Sequence, residues 1–102
     1  MRLVITTCPM DKSQKLIDEI LRLKLAGCAN KVEVNSKFWW KGKLDEKKES
    51  LIIFKTTEEL VGKLFKKMKE IHPYKIPEII EIKVEKANDE YLRWLKSSTQ
   101  GP

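Results

Sequence analysis

Residues 2–7, Arg2-Leu3-Val4-Ile5-Thr6-Thr7, alternate within a β-rich run and predict a first strand. Asp11 or Ser13 is placed to cap a helix whose apolar positions Leu16, Ile17, Ile20 and Leu21 recur at helical spacing, with Gly27 as its C-cap. From Cys28 to about Val34, Asn30, Val32 and Val34 alternate against Lys31 and Glu33, which predicts strand two. Phe38-Trp39-Trp40-Lys41-Gly42-Lys43 has the pattern of a long hairpin's tip, with Gly42 at the turn. Strand three covers roughly Ser50 to Thr56. Thr56 with Glu59 matches a capping box before a helix lined by Leu60, Val61, Leu64, Phe65, Met68 and Ile71. Pro73 biases His72 away from helical geometry, so that helix ends there. Ile80, Ile82 and Val84 alternate along strand four, and Asn88 caps a last helix carrying Tyr91, Leu92 and Leu95 on one side.

The order is βαββαβ with an added C-terminal helix, and it predicts an α+β, ferredoxin-like sandwich with a long β2–β3 hairpin. In that topology both long helices cover one face of a four-stranded antiparallel sheet. Leu51 and Ile53 point to one face of strand three while Ile52 and Phe54 point to the other, so both faces carry large apolar side chains. Burying each is worth roughly 1.5–3 kcal/mol. The second face therefore calls for a cover, either another copy of the chain or the last helix folded across it.

Composition narrows the function classes. With 102 residues the chain fits one domain, 1–102. No apolar stretch approaches the ~20 residues of a membrane-spanning helix, and the N-terminal apolar run is too short for a secretory signal. Two cysteines build no disulfide framework, which favours a reducing, cytoplasmic setting. The net charge of +6 suggests nucleic acid, yet the 21 cations are interleaved with 15 carboxylates, as in Lys66-Lys67-Met68-Lys69-Glu70. Strand three, Leu51-Ile52-Ile53-Phe54-Lys55-Thr56, also lacks the aromatic signature of an RNA-binding sheet of this topology. A solvated surface is the better reading, with neither nucleic acid nor membrane as partner.

Three soft or borderline metal donors stand out: Cys8, Cys28 and His72, the single histidine. Thiolate and imidazole suit copper or zinc. Their separations of 20 and 44 positions match no zinc-finger rule. Strands one and two both run upward, so Cys8 ends one and Cys28 begins the other, roughly 17–20 Å apart along the sheet. A three-ligand site from this set needs a neighbouring subunit. The plainer reading is two small buried thiols and a helix-terminal histidine. Trp39 and Trp40 offer a stacking platform for a planar ligand, although strand alternation puts at most one of them on any face. Nucleophile-elbow and phosphate-loop motifs are missing, and Pro73 and Pro77 account for the histidine segment as a rigid connection. The chain is not read as an enzyme.

With these residues laid out, the sequence resembles the CutA divalent-cation-tolerance family along nearly its full length. The matching pieces are Thr7-Cys8-Pro9, Leu25-Ala26-Gly27-Cys28-Ala29-Asn30, Trp40-Lys41-Gly42-Lys43-Leu44, Phe54-Lys55-Thr56-Thr57, His72-Pro73-Tyr74-Lys75-Ile76-Pro77-Glu78 and Tyr91-Leu92-Arg93-Trp94-Leu95. The resemblance implies a cytoplasmic homotrimer, similar in plan to PII signalling proteins, with a role in copper and other divalent-cation tolerance. In copper-linked members the proposed ligands are two cysteines and a histidine. The second cysteine falls on Cys28 and the histidine on His72, whereas the first falls on Thr6, two positions before Cys8. The resemblance also leaves room for a PII-like sensor whose intersubunit cleft is lined by Trp40, Lys55, Tyr74 and Glu78, and for a trimeric scaffold that docks another protein.

Overall fold

The structure is a computed structural model describing residues 1–100. Its elements are β1 (Arg2–Cys8), α1 (Met10–Arg22), β2 (Cys28–Trp40), β3 (Lys43–Thr56), α2 (Val61–Ile71), β4 (Ile79–Lys83) and α3 (Asp89–Ser98). The four strands form one antiparallel-paired sheet in the order β2-β3-β1-β4, the ferredoxin-like arrangement expected from the element order. Both middle strands, β1 and β3, send alternate side chains into the core: Val4, Thr6 and Cys8 from β1, Ile52 and Phe54 from β3. Leu16, Ile17 and Ile20 of α1 and Leu64 and Met68 of α2 close over them. The helical spacing of these apolar residues is what puts them on one face.

Helix boundaries depart from the expected caps for identifiable reasons. Pro9, with φ of −57°, sets up α1 directly, and Lys12 N–H bonds to its carbonyl. Asp11 thus sits inside the first turn, and the Ser13 hydroxyl donates to Met10 O instead of capping. At the other end Leu23 is the C-cap, Lys24 takes the left-handed conformation (φ 58°), and Leu25 N–H reaches back to Ile20 O. Gly27 serves packing: a Cβ there would lie 2.7 Å from Leu95 Cδ1 on α3. Thr56 does not open α2 either. It is the last residue of β3, and its hydroxyl donates to Leu25 O at 2.6 Å. A turn follows in which Leu60 N–H and Val61 N–H both bond to Thr57 O. Asn88 caps α3 as expected, accepting from Glu90 N–H at 2.9 Å.

Strands two and three are much longer than the periodicity suggested. Beyond Cys8↔Ser50, where β1 stops, β2 and β3 continue as a two-stranded arm from Val34↔Glu49 to Trp40↔Lys43. The expected long hairpin is thus present, and charged residues such as Lys37, Glu46 and Lys48 are what blur the extent of its strands in a hydrophobicity pattern. Its turn is two residues, Lys41 (φ 51°) and Gly42 (φ 77°), both left-handed as the tightest hairpin loops require.

The sheet's second face stays open. It carries Leu3 and Ile5 of β1, Leu51 and Ile53 of β3, Ile80 and Ile82 of β4 and Val32 of β2. Val32 is 54% exposed, Ile80 47% and Ile82 41%. α3 does not fold across this row. Its Leu95 packs by Gly27 at the lower end of the sheet, so of the two covers expected from the sequence the last helix is not the one used within this chain.

Candidate functional site

Two sequence-derived donors are separated by the sheet itself. Cys8 pairs with Ser50 and is fully buried among the core residues under the helices. Cys28 pairs with Lys55, five residues further down β3, so its side chain lies on the open face. The thiols are therefore on opposite faces and roughly 17 Å apart along the strands. Burial, and secondarily the charge of Glu49, raises the Cys8 thiol pKa. Around Cys28 stand Lys55, with Nζ 4.0 Å from Sγ, and Tyr91 of α3. Burial foremost, and then the neighbouring Cys28, raises the Tyr91 phenol.

His72 ends α2 on the Cys8 side, and both of its ring nitrogens are in use. Nδ1 accepts the Tyr74 N–H at 3.0 Å. Nε2 lies 2.9 Å from Thr6 Oγ1, and the Thr6 hydroxyl donates to Glu78 O at 2.6 Å. A hydroxyl has one proton to give, so Thr6 accepts from an Nε2–H, which fixes the neutral Nε2–H tautomer. Burial lowers the His72 pKa below its ordinary value, against smaller opposing contributions from the Thr7 backbone and Glu49. Thr6, where the resemblance to copper-linked members would put a first cysteine, thus touches His72 directly. Cys8, two residues on, shares that facing. Among the described residues no three His, Cys, Asp or Glu side chains stand close enough to hold a metal ion. Cys8, Cys28 and His72 do not fit a metal centre within one chain.

Within the His72–Glu78 connection, Tyr74, Lys75, Ile76 and Glu78 line a cleft of about 420 Å³ beside Thr7 near the end of β1. Phe38, Trp39 and Trp40 of the arm form the opposite wall. Asp45, Lys47 and Glu49 of β3 contribute charges, as do Lys75 and Glu78. Tyr74 joins the two walls. Its hydroxyl donates to the buried Glu49 Oε2 at 2.7 Å, and the Lys47 ammonium sits 4.6 Å from its ring centre. Desolvation, with the Glu49 hydrogen bond and charge behind it, pushes the Tyr74 phenol far above the ordinary tyrosine range.

Of the four residues expected along a cleft between subunits, Trp40, Tyr74 and Glu78 line this cleft within one chain. Lys55 is not among them; it belongs to the Cys28 end of the sheet. Both tryptophans line the cleft, although strand alternation was expected to give at most one of them to any face. Glu49 and Lys47 went unnoticed in the sequence because they lie within a charged run, Asp45-Glu46-Lys47-Lys48-Glu49. Only the burial of Glu49 marks it out from its neighbours.

The family model for CutA1 divalent ion tolerance protein matches residues 2–98. A divalent-cation tolerance protein CutA from Pyrococcus horikoshii is 41% identical over 101 residues, covering 98% of this chain and 99% of that one. Its counterpart from Thermotoga maritima is 39% identical over 99 residues, covering 96% and 98%. The crystal structure of Pyrococcus horikoshii CutA in 3 M guanidine hydrochloride superposes with a TM-score of 0.95 at 40% identity, over 98% of this chain and all of the other. The PII-like protein CutA from Nostoc in apo form gives a TM-score of 0.94 at 24% identity over 98% of each chain, a likeness of fold alone. With its sheet order, its His72–Glu78 connection and nearly all of its length matched, this chain belongs to the CutA1 divalent ion tolerance family.

Proposed function

We propose that the protein acts in divalent-cation (copper) tolerance as a cytoplasmic homotrimer, and that its ligand-responsive element is the cleft between the arm and the His72–Glu78 connection. The observation that carries this reading is the convergence of Trp40, Tyr74 and Glu78 around about 420 Å³. That volume falls within the usual range for small-molecule sites, and the lining mixes aromatic walls with a few charges. The exposed row Val32, Ile80 and Ile82 supports assembly, since a copy seated there would remove aliphatic surface worth roughly 25 cal/mol per Å². Free thiols at Cys8 and Cys28 are in keeping with a reducing compartment. The test is a metabolite fragment library screened by ligand-observed NMR in metal-free buffer. The reading expects hits whose binding is lost in both Trp40→Ala and Tyr74→Ala; a library without such a hit overturns it.

A second reading is favoured by the position of Cys28. It lies half-buried on the open face that another copy would cover, beside Lys55 and Tyr91. A soft cation such as copper would there be held by Cys28 together with donors of a neighbouring copy. Calorimetric titration with copper under reducing conditions decides it: Cys28→Ala abolishes binding on this reading, and unchanged binding removes it.

A further inference from the structure

We infer that His72 is a positioning residue of the cleft and not a metal ligand: its neutral ring, through Tyr74 N–H on one side and Thr6 on the other, pins both ends of the Tyr74–Glu78 wall to β1. The inference shares the cleft with the proposed function but does not depend on a ligand being found.

A neutral imidazole has one ring lone pair and one ring proton. Here the lone pair on Nδ1 is spent on Tyr74 N–H and the proton on Nε2 is spent on Thr6 Oγ1. A metal at Nδ1 would displace the Tyr74 N–H. A metal at Nε2 would require the other tautomer, which sets an Nδ1–H against the Tyr74 N–H, donor facing donor. Either change leaves a part-buried backbone donor without a partner, a cost that the bound ion would have to offset.

The neighbouring donors are equally committed. Thr6 is fully buried, and its hydroxyl already bridges the ring and Glu78 O. The Glu49 carboxylate accepts from Tyr74. Cys8 faces the apolar core. Between the pinned ends, Pro73 and Pro77 lack N–H groups and have restricted φ, so the segment has little freedom to rearrange around an ion. Pinning residues 74 and 78 fixes the two cleft residues that the connection shares with the sequence-derived set.

Because the chain has one histidine, its ring gives a single set of nitrogen signals in a long-range ¹H–¹⁵N spectrum. The expected result is the Nε2–H tautomer pattern, unshifted when equimolar Zn(II) or Cu(I) is added. Hydrogen exchange at the Tyr74 amide is expected to rise at least about tenfold in Thr6→Val and to return to the wild-type rate in Thr6→Ser, which restores the hydroxyl. An Nδ1–H tautomer, or a ring nitrogen shifted by metal in the wild-type protein, overturns the inference. So does equal exchange in Thr6→Val and Thr6→Ser. A ligand-free cleft leaves all of these readouts in place, so the two readings fail separately.

Discussion

The Tyr74 hydroxyl donates to Glu49 Oε2 at 2.7 Å and thereby fastens the connection before β4 to the base of the β2–β3 arm. Glu49 is only 5% exposed, so the phenol is the partner that makes a buried carboxylate tolerable. Tyr74→Phe removes the donor and leaves the carboxylate behind. It is expected to cost about 1–3 kcal/mol in urea unfolding. Glu49→Gln, which keeps an acceptor for the phenol, should cost less than Tyr74→Phe.

Alkaline titration probes the same contact. The Tyr74 pKa is raised, so the folded state holds its proton longer than the unfolded state does. Its contribution to stability is fully present below the ordinary tyrosine value of 10.0 and is lost as pH climbs beyond it. Tyrosinate absorbance of the native protein should lag behind that of the urea-unfolded chain. Coincident titration curves would contradict the buried contact.

His72 gives the opposite sign. Its pKa is lowered from 6.5, so the unfolded chain takes up the proton first as pH falls. The stability tied to the neutral ring is present above 6.5 and is lost as pH falls through the lower, folded value. Urea midpoints measured across mildly acidic pH should fall more steeply for the wild type than for His72→Gln. Parallel curves would mean that the ring takes no part in the acid response.

Oligomeric state tests the open face. The 12.0 kDa chain should sediment as a trimer, and Ile82→Asp, placed among Leu3, Ile5 and Ile80, should yield the single-chain mass. A charge in a dry interface is strongly disfavoured, so partial assembly at micromolar concentration is not expected. A wild-type protein that sediments at the chain mass would remove the trimer.

Gly27 offers a local test of α3. The added methyl of Gly27→Ala meets Leu95 Cδ1 at 2.7 Å, and the overpacking is expected to cost about 1–3 kcal/mol. Trp94, on the same helix, reports the event through its emission. An unshifted melting temperature and an unchanged spectrum would show that Leu95 yields without cost.

Much of the architecture was legible because the burial pattern repeats the strand and helix periods. Ile52 and Phe54 against Leu51 and Ile53 disclosed a sheet apolar on both faces, and Pro73 disclosed the end of α2. The long β2–β3 hairpin was legible from its tip at Phe38–Lys43 and Gly42, but not how far each strand continues, since residues such as Lys37 and Glu46 pair across it within a charged stretch. The caps misled for a different reason: Thr56 and Gly27 are used for tertiary contacts, with Leu25 and Leu95, that local sequence does not encode. At the site, the motif pointed to His72 but not to its occupation. The bond to Thr6 spans 66 positions, and only the alignment of α2 with β1 creates it.

The arm has a consequence for how this molecule matures. From Val34↔Glu49 to its tip, each strand has only the other as partner, and a lone two-stranded ribbon in water is marginally stable. Phe38, Trp39 and Trp40 ride on that ribbon, so in the proposed trimer one wall of the cleft would be stiffened only where a neighbouring copy meets the arm. Dilution would then blunt the cleft before it unfolds the core, and protein concentration itself would act as a dial on ligand affinity.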